Sequence, residues 1–81
     1  MTDKYFIISY RDVATEENIP LAVFSSLWMS HEGAKAAFNR IVDFCEDKNA
    51  WETSINIELY NLWNELDSSV TIKGKRDRSR I

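Results

Sequence analysis

The stretch KYFIISYR at residues 4–11 decides the fold, because it is rich in the β-branched and aromatic residues that favour strands. A second stretch, IPLAVFSSLW at residues 19–28, has the same character, and Pro20 is tolerated near the start of a strand. The polar segment DVATEEN at residues 12–18 separates the two. Sequential strands with a short connection usually pair antiparallel, so the sequence predicts a hairpin.

The next segment has helical periodicity. Ser30 predicts an N-cap, since its hydroxyl can accept the amide proton of Gly33. Apolar residues then recur at helical spacing, namely Ala34, Ala37, Phe38, Ile41 and Cys45. We predict a helix over residues 31–48 that turns this stripe, centred on Phe38 and Ile41, towards the sheet.

The segment at residues 51–66 fits two patterns. Ile55, Ile57 and Leu59 alternate with polar residues as in a strand, although apolar residues here also recur once per helical turn. The abundance of strand-forming residues favours the first pattern. We predict a strand at residues 54–62 and keep a helix as the alternative.

The end of the chain completes the plan. Residues 64–69 are predicted to turn the chain, and residues 70–73 to form a short final strand. The order strand, strand, helix, strand, strand predicts an α+β fold, with one helix packed on one face of a small antiparallel or mixed four-stranded sheet. We expect residues 1–73 to form a single domain and residues 74–81 to be a basic, disordered C-terminal tail.

Composition excludes several classes of protein. The 81 residues are 44% hydrophobic and 12% aromatic, which argues against a low-complexity or disordered chain. A single cysteine cannot form a disulfide within the chain. No apolar run approaches the roughly 20 residues that cross a bilayer, and the first four residues lack a signal-peptide pattern. We therefore expect a soluble cytoplasmic protein that does not bind membranes.

Charge is unevenly distributed along the chain, whose formal net charge is −3. Residues 1–72 are acidic, with twelve acids and five bases, whereas residues 73–81 are basic. The candidates for phosphate contacts in this tail are Lys73, Lys75, Arg76, Arg78 and Arg80. The simpler interpretation is a solvated terminus, because an acidic body repels nucleic acid and leaves the tail only weak, salt-dependent affinity.

The residues that carry chemistry do not match catalytic or ligand-binding templates. His31 and Cys45, the single residues of their types, lie about 21 Å apart along the predicted helix. One histidine and one cysteine do not make a structural zinc set, and two separated glycines do not make a phosphate loop. We expect no catalytic, metal-binding or cofactor-binding residues, no cofactor and no small-molecule substrate.

The first two predicted strands are apolar on both sides. In the first, Phe6 and Ile8 alternate with Tyr5 and Ile7. One helix covers only one face of a sheet, so the other face would leave an apolar patch in water. A second copy of the chain is the simplest cover, and a different protein is the next. The candidate interface residues are Tyr5, Ile7, Phe24, Trp28, Tyr60 and Trp63.

These observations favour a non-enzymatic protein-interaction module that binds another protein and works as a homodimer. The plan of strands and helix is common among small phage-encoded and bacterial regulators, such as inhibitors and adaptors. That analogy concerns size and pattern, and a fold alone does not establish a function. The alternative is a nucleic-acid-associated accessory protein that uses the basic tail.

Overall fold

The computed structural model describes residues 4–48 and 51–75. The elements, in chain order, are β1 (Tyr5–Asp12), β2 (Asn18–Ser25), α1 (His31–Lys48), β3 (Ile55–Tyr60) and β4 (Leu66–Ile72). The four strands form one antiparallel sheet in the order β2-β1-β3-β4. Helix α1 packs on one face of this sheet, which confirms the predicted α+β fold.

Helix α1 begins and ends where the sequence predicts. The hydroxyl of Ser30 accepts the amide proton of Gly33 at 3.1 Å, and the helix continues to Lys48. No helix within the described residues is both long and apolar enough to span a membrane. The ambiguous segment after α1 contains the strand β3, which pairs with β1 on one side and β4 on the other. The helical alternative for this segment is therefore wrong.

Strand β2 ends at Ser25, earlier than the predicted end at residue 28. The Ser25 carbonyl accepts the amide protons of Trp28 and Met29 at 3.1 and 3.0 Å, and its hydroxyl accepts that of Leu27 at 3.2 Å. The serine hydroxyl thus adds a side-chain hydrogen bond to two backbone hydrogen bonds that turn the chain away from the sheet. The chain consequently turns although its residues remain apolar.

Strand β4 begins at Leu66, within the segment that was predicted to be a turn. Asn61 closes the preceding loop, because its side-chain oxygen accepts the amide protons of Trp63 and Glu65 at 2.9 and 3.0 Å. Asn64 adopts a left-handed conformation with φ of 59°. The turn is therefore complete by Glu65, and the polar residues that follow belong to the strand.

The hydrophobic core lies between α1 and the sheet. Phe38 is 2% exposed, as predicted for the centre of the helical stripe. Ile41 is only half-buried, and Val42 is buried beside Phe38 in its place. The core consists of Phe6, Ile8, Ala34, Phe38, Val42, Cys45, Ile55, Ile57, Leu59 and Ile72.

The chain remains attached to the body of the protein through Lys75. The Lys75 amide donates to the carbonyl of Trp51 at 2.8 Å, and the Gly74 amide donates to the hydroxyl of Ser54 at 3.2 Å. Gly74 is buried, and a Cβ at this position would overlap the backbone that precedes Ser54. Residues 76–81 of the predicted tail lie outside the described residues.

Candidate functional site

The face of the sheet opposite α1, termed the open face, carries a straight row of apolar side chains. The strand registers align one residue from each strand, in the order Val23, Ile7, Tyr60 and Leu66. Val23 is 56% exposed and Leu66 is 53% exposed, whereas Ile7 and Tyr60 are half-buried. These four residues are termed the apolar row.

Strand alternation explains why these side chains point away from α1. Successive residues of a strand face opposite sides of the sheet. Phe6 and Ile8 of β1 are buried in the core, so Tyr5, Ile7 and Ser9 face the other side. Tyr5, which is exposed, extends the apolar surface towards the end of the sheet where β1 begins.

A polar cluster of Ser9, Arg11 and Glu58 lies next to the apolar row. Ser9 and Glu58 are partners in the register of β1 and β3. The hydroxyl of Tyr60 donates to Oε1 of Glu58 at 3.0 Å, and Nη2 of Arg11 lies 3.6 Å from the same oxygen. Glu58 is 6% exposed and Ser9 is 2% exposed. The single carboxylate is thus held by one hydroxyl and one guanidinium.

The polar cluster has unused capacity for hydrogen bonds. Oγ of Ser9 and Nε of Arg11 are both buried, and neither makes a hydrogen bond within the described residues. A buried donor without an acceptor destabilises a protein by about 1–3 kcal/mol. Both residues belong to β1 and face the open side, but the two atoms are covered by their own chain, so a docking partner does not reach them.

The end of the sheet where β2 and β3 end and β4 begins carries exposed tryptophans on its two loops. Trp28 is 88% exposed in the loop after β2, and Leu27 beside it is also exposed. Trp63 is exposed in the loop between β3 and β4, and Nζ of Lys4 lies 5.0 Å from the centre of its ring. We term Leu27, Trp28 and Trp63 the aromatic end.

The structure brings most of the predicted interface residues to these two surfaces. Tyr5, Ile7 and Tyr60 lie on the open face, and Trp28 and Trp63 form the aromatic end. Phe24 does not join them, because it pairs with Phe6 on the face that α1 covers and packs against the core.

Sequence reasoning missed Val23, Leu66 and the polar cluster. Val23 could have been placed beside Ile7 by alternation if the register of the hairpin were known. Leu66 was hidden because its segment was predicted to be a turn. Nothing local in the sequence shows that Ser9 and Glu58 lie side by side, since they are far apart along the chain.

The basic residues proposed for phosphate contacts are only partly described. Lys73 follows β4 and is exposed, and Lys75 is exposed although its backbone is bound to Trp51. Arg76, Arg78 and Arg80 lie outside the described residues. The phosphate-binding prediction therefore stays a prediction.

The two residues with nucleophilic or metal-binding potential have structural surroundings. Nε2 of His31 lies 2.9 Å from Oδ2 of Asp67 and connects the start of α1 to β4. Cys45 is buried in the core, and burial raises the pKa of its thiol, which disfavours the reactive thiolate. Among residues 4–48 and 51–75, no three His, Cys, Asp or Glu side chains converge on a site for a metal ion.

Comparisons with known proteins give no match to a family model, to a curated protein or to a solved structure. The functional proposal therefore depends on the geometry of the open face and the aromatic end.

Proposed function

We propose that the protein is a small non-enzymatic interaction module that works as a homodimer and acts by binding another protein. Such a module would serve as a cytoplasmic regulator, in the manner of a phage or bacterial inhibitor or adaptor. The observation that carries this proposal is the open face, where an apolar row crosses all four strands without a covering layer among the described residues. Exposed apolar patches of this kind are typical of surfaces that bind proteins.

The aromatic end supports a partner besides the second copy. Tryptophan and tyrosine are over-represented among the residues that dominate binding energy in protein interfaces. Trp28 exposes almost its whole side chain to water. A partner that covers this side chain would gain the free energy of burying its apolar surface. The open face is thus suited to the homodimer, and the aromatic end remains available to another protein.

The energetics favour a dimer of modest affinity. Burying about 300 Å² of apolar surface on each subunit, or about 600 Å² in the dimer, at about 25 cal/mol per Å² contributes roughly 15 kcal/mol. Association costs about 4–15 kcal/mol or more, which offsets most of that gain. A two-fold dimer, in which the same surface meets itself, is the commonest form of homo-oligomer.

Sedimentation at micromolar concentrations tests the homodimer. We expect the sedimenting mass to increase with concentration from that of one chain to that of two. A monomer throughout that range, which also fails to bind a hydrophobic dye, would contradict the proposed homodimer.

Capture from a cell lysate at low and high salt tests the second partner. The bait would be the wild-type protein, Trp28→Ser and Phe44→Ser, the last a matched control because Phe44 is an exposed aromatic residue on α1. We expect a protein that remains bound at high salt, is lost with Trp28→Ser and is kept with Phe44→Ser. Equal recovery with all three baits would contradict a role for the aromatic end.

A chain that ends at Lys75 tests the nucleic-acid alternative in the same experiment. Contacts between the tail and phosphates would weaken steeply with salt, and would weaken further with this truncation, which removes Arg76, Arg78 and Arg80. Recovery of nucleic acid that follows this pattern, without a salt-resistant protein, would favour the accessory-protein function instead.

A further inference from the structure

We infer that the second copy covers the open face, about a two-fold axis that runs parallel to the strands between β1 and β3. This inference rests on the homodimer of the proposed function and specifies which surface is buried and in which register. The two sheets would then pack face to face, about 10 Å apart, as in a β-sandwich. Charge and register favour this arrangement of the two chains, and the area of the face limits its affinity.

Charge selects this face for a meeting of two identical acidic chains. The open-face side chains of the four strands include one acid and one base, Glu58 and Arg11, which lie within 3.6 Å of each other. The acidic excess lies on other surfaces, at exposed positions such as Glu16, Asp43 and Asp47. Like-charge repulsion between two copies is therefore smallest when the open faces meet.

The apolar row places the two-fold axis. An axis parallel to the strands between β1 and β3 sets β1 over β3 of the second copy, and β2 over its β4. Ile7 then lies over Tyr60 of the second copy, and Val23 lies over Leu66 of the second copy. Each contact pairs a smaller side chain with a larger one, which lets two layers interdigitate without voids.

The same axis also brings the two polar clusters next to each other. The register that sets Ile7 over Tyr60 also sets Ser9 over Glu58 of the second copy, and Arg11 over its Asn56. The exposed part of the Arg11 side chain would thereby face the amide of Asn56 of the second copy, whereas Oγ of Ser9 and Nε of Arg11 stay buried within their own chain. An axis along the apolar row would instead turn each polar cluster towards the opposite end of the other sheet.

The area of the open face is small and predicts a weak dimer. Four strands spaced by about 4.8 Å, with about seven residues each rising about 3.3 Å, give a face of roughly 19 by 23 Å. This flat area, about 440 Å² per partner, is smaller than the roughly 600–1,000 Å² that specific interfaces bury per partner. The dimer is accordingly expected to dissociate in the micromolar range.

Cross-linking between two variants that each gain one exposed cysteine tests the position of the axis. Val23→Cys and Leu66→Cys alter residues that are more than half exposed, so neither variant removes core packing. One of the two chains carries a tag, and the mixture is treated with a thiol cross-linker about 8–10 Å long, matching the separation of packed sheets. Wild-type protein is the control, because its Cys45 is buried in the core.

We expect a cross-linked heterodimer in the mixture of the two variants. Either variant treated alone should give no cross-linked dimer. The reason is that two copies of Val23 would lie at opposite edges of the packed sheets, about 14 Å apart laterally in addition to the sheet separation. Cross-linking of Val23→Cys with itself would place the axis along the apolar row or join the β2 edges, and would overturn the inference.

The outcomes separate this inference from the proposed homodimer. A sample that sediments as a dimer but gives no heterodimer cross-link would overturn the face-to-face register and leave the homodimer intact. A sample that sediments only as a monomer would overturn both.

Discussion

On the face of the sheet that α1 covers, Ile8, Ile57 and Leu59 are completely buried, whereas on the open face Val23 and Leu66 keep more than half of their surface in solvent. The two faces are built from the same strands, and each residue on one face has a sequence neighbour on the other. The covered face is apolar across β1 and β3. The open face is apolar along one row and polar beside it. The apolar row favours binding of a partner, and the polar residues beside it restrict which partner fits.

This difference separates stability from binding. Full burial of a large apolar side chain contributes about 1.5–3 kcal/mol, and the covered face holds most of the side chains that gain it. The open-face side chains contribute less to the free energy of folding, because much of their surface remains exposed to solvent. Variants on the two faces should therefore differ in what they change.

The largest effect is expected on the covered face, at Phe38. Phe38→Ala removes a ring that is 2% exposed and should lower the free energy of unfolding by about 3–5 kcal/mol. Phe44→Ala is the matched control on the same helix, because Phe44 is 62% exposed and its loss should matter much less. Denaturant unfolding of both variants measures the difference. Equal losses would show that the helix presents another face to the sheet.

An intermediate effect is expected at Gly74, which follows β4. Gly74→Ala would force a Cβ into the backbone before Ser54 and should lower the free energy of unfolding by about 1–3 kcal/mol. Gly33→Ala is the control, because the nearest atom there is the flexible Met29 side chain and alanine favours the helix. Thermal melts compare the two. An unchanged melting temperature for Gly74→Ala would mean that residues beyond Ile72 do not hold to the body.

The smallest effect is expected on the open face, at Tyr60. Tyr60→Phe removes the hydroxyl that donates to Glu58 and should lower the free energy of unfolding by about 1 kcal/mol. Tyr5→Phe is the matched control, because Tyr5 lies exposed on the same face outside the polar cluster. Unfolding at two protein concentrations separates this loss from any change in dimerisation. Identical stability of the two variants would show that the hydroxyl of Tyr60 does not support the carboxylate.

The helix and the first hairpin were predictable because their signals are local. Ser30 and the apolar spacing around Phe38 mark α1, and the apolar stretches on either side of the hairpin loop mark the paired strands. The ends of β2 and β4 were not predictable in the same way. The side chain of Ser25 bonds to the backbone where β2 ends, and the side chain of Asn61 bonds to the backbone of the loop before β4. Such hydrogen bonds produce no periodic pattern in the sequence.

The sequence was enough to predict that an apolar face would remain uncovered, but not which residues form it. Two-sided apolar strands indicated that a face would remain uncovered, and Tyr5, Ile7 and Tyr60 do lie on that face. Phe24 was assigned to the same surface, yet its pairing with Phe6 places it under α1. The polar cluster was not foreseen, because it depends on the register between β1 and β3.

The local sequence pattern is enough to predict the helix and strands of this protein, their order and the excess of apolar surface on the strands. The reason is that the periodicity of a strand or helix depends only on residues that are close together in the chain. The tertiary structure alone decides which face α1 covers and which residues meet on the other. A shift of one residue in a strand's pairing exchanges the side chains of its two faces. The apolar row and the polar cluster exist only because β1 pairs with β2 and β3, and β3 pairs with β4, in the observed registers. The pairing of β1 with β3 joins residues that are distant in the chain.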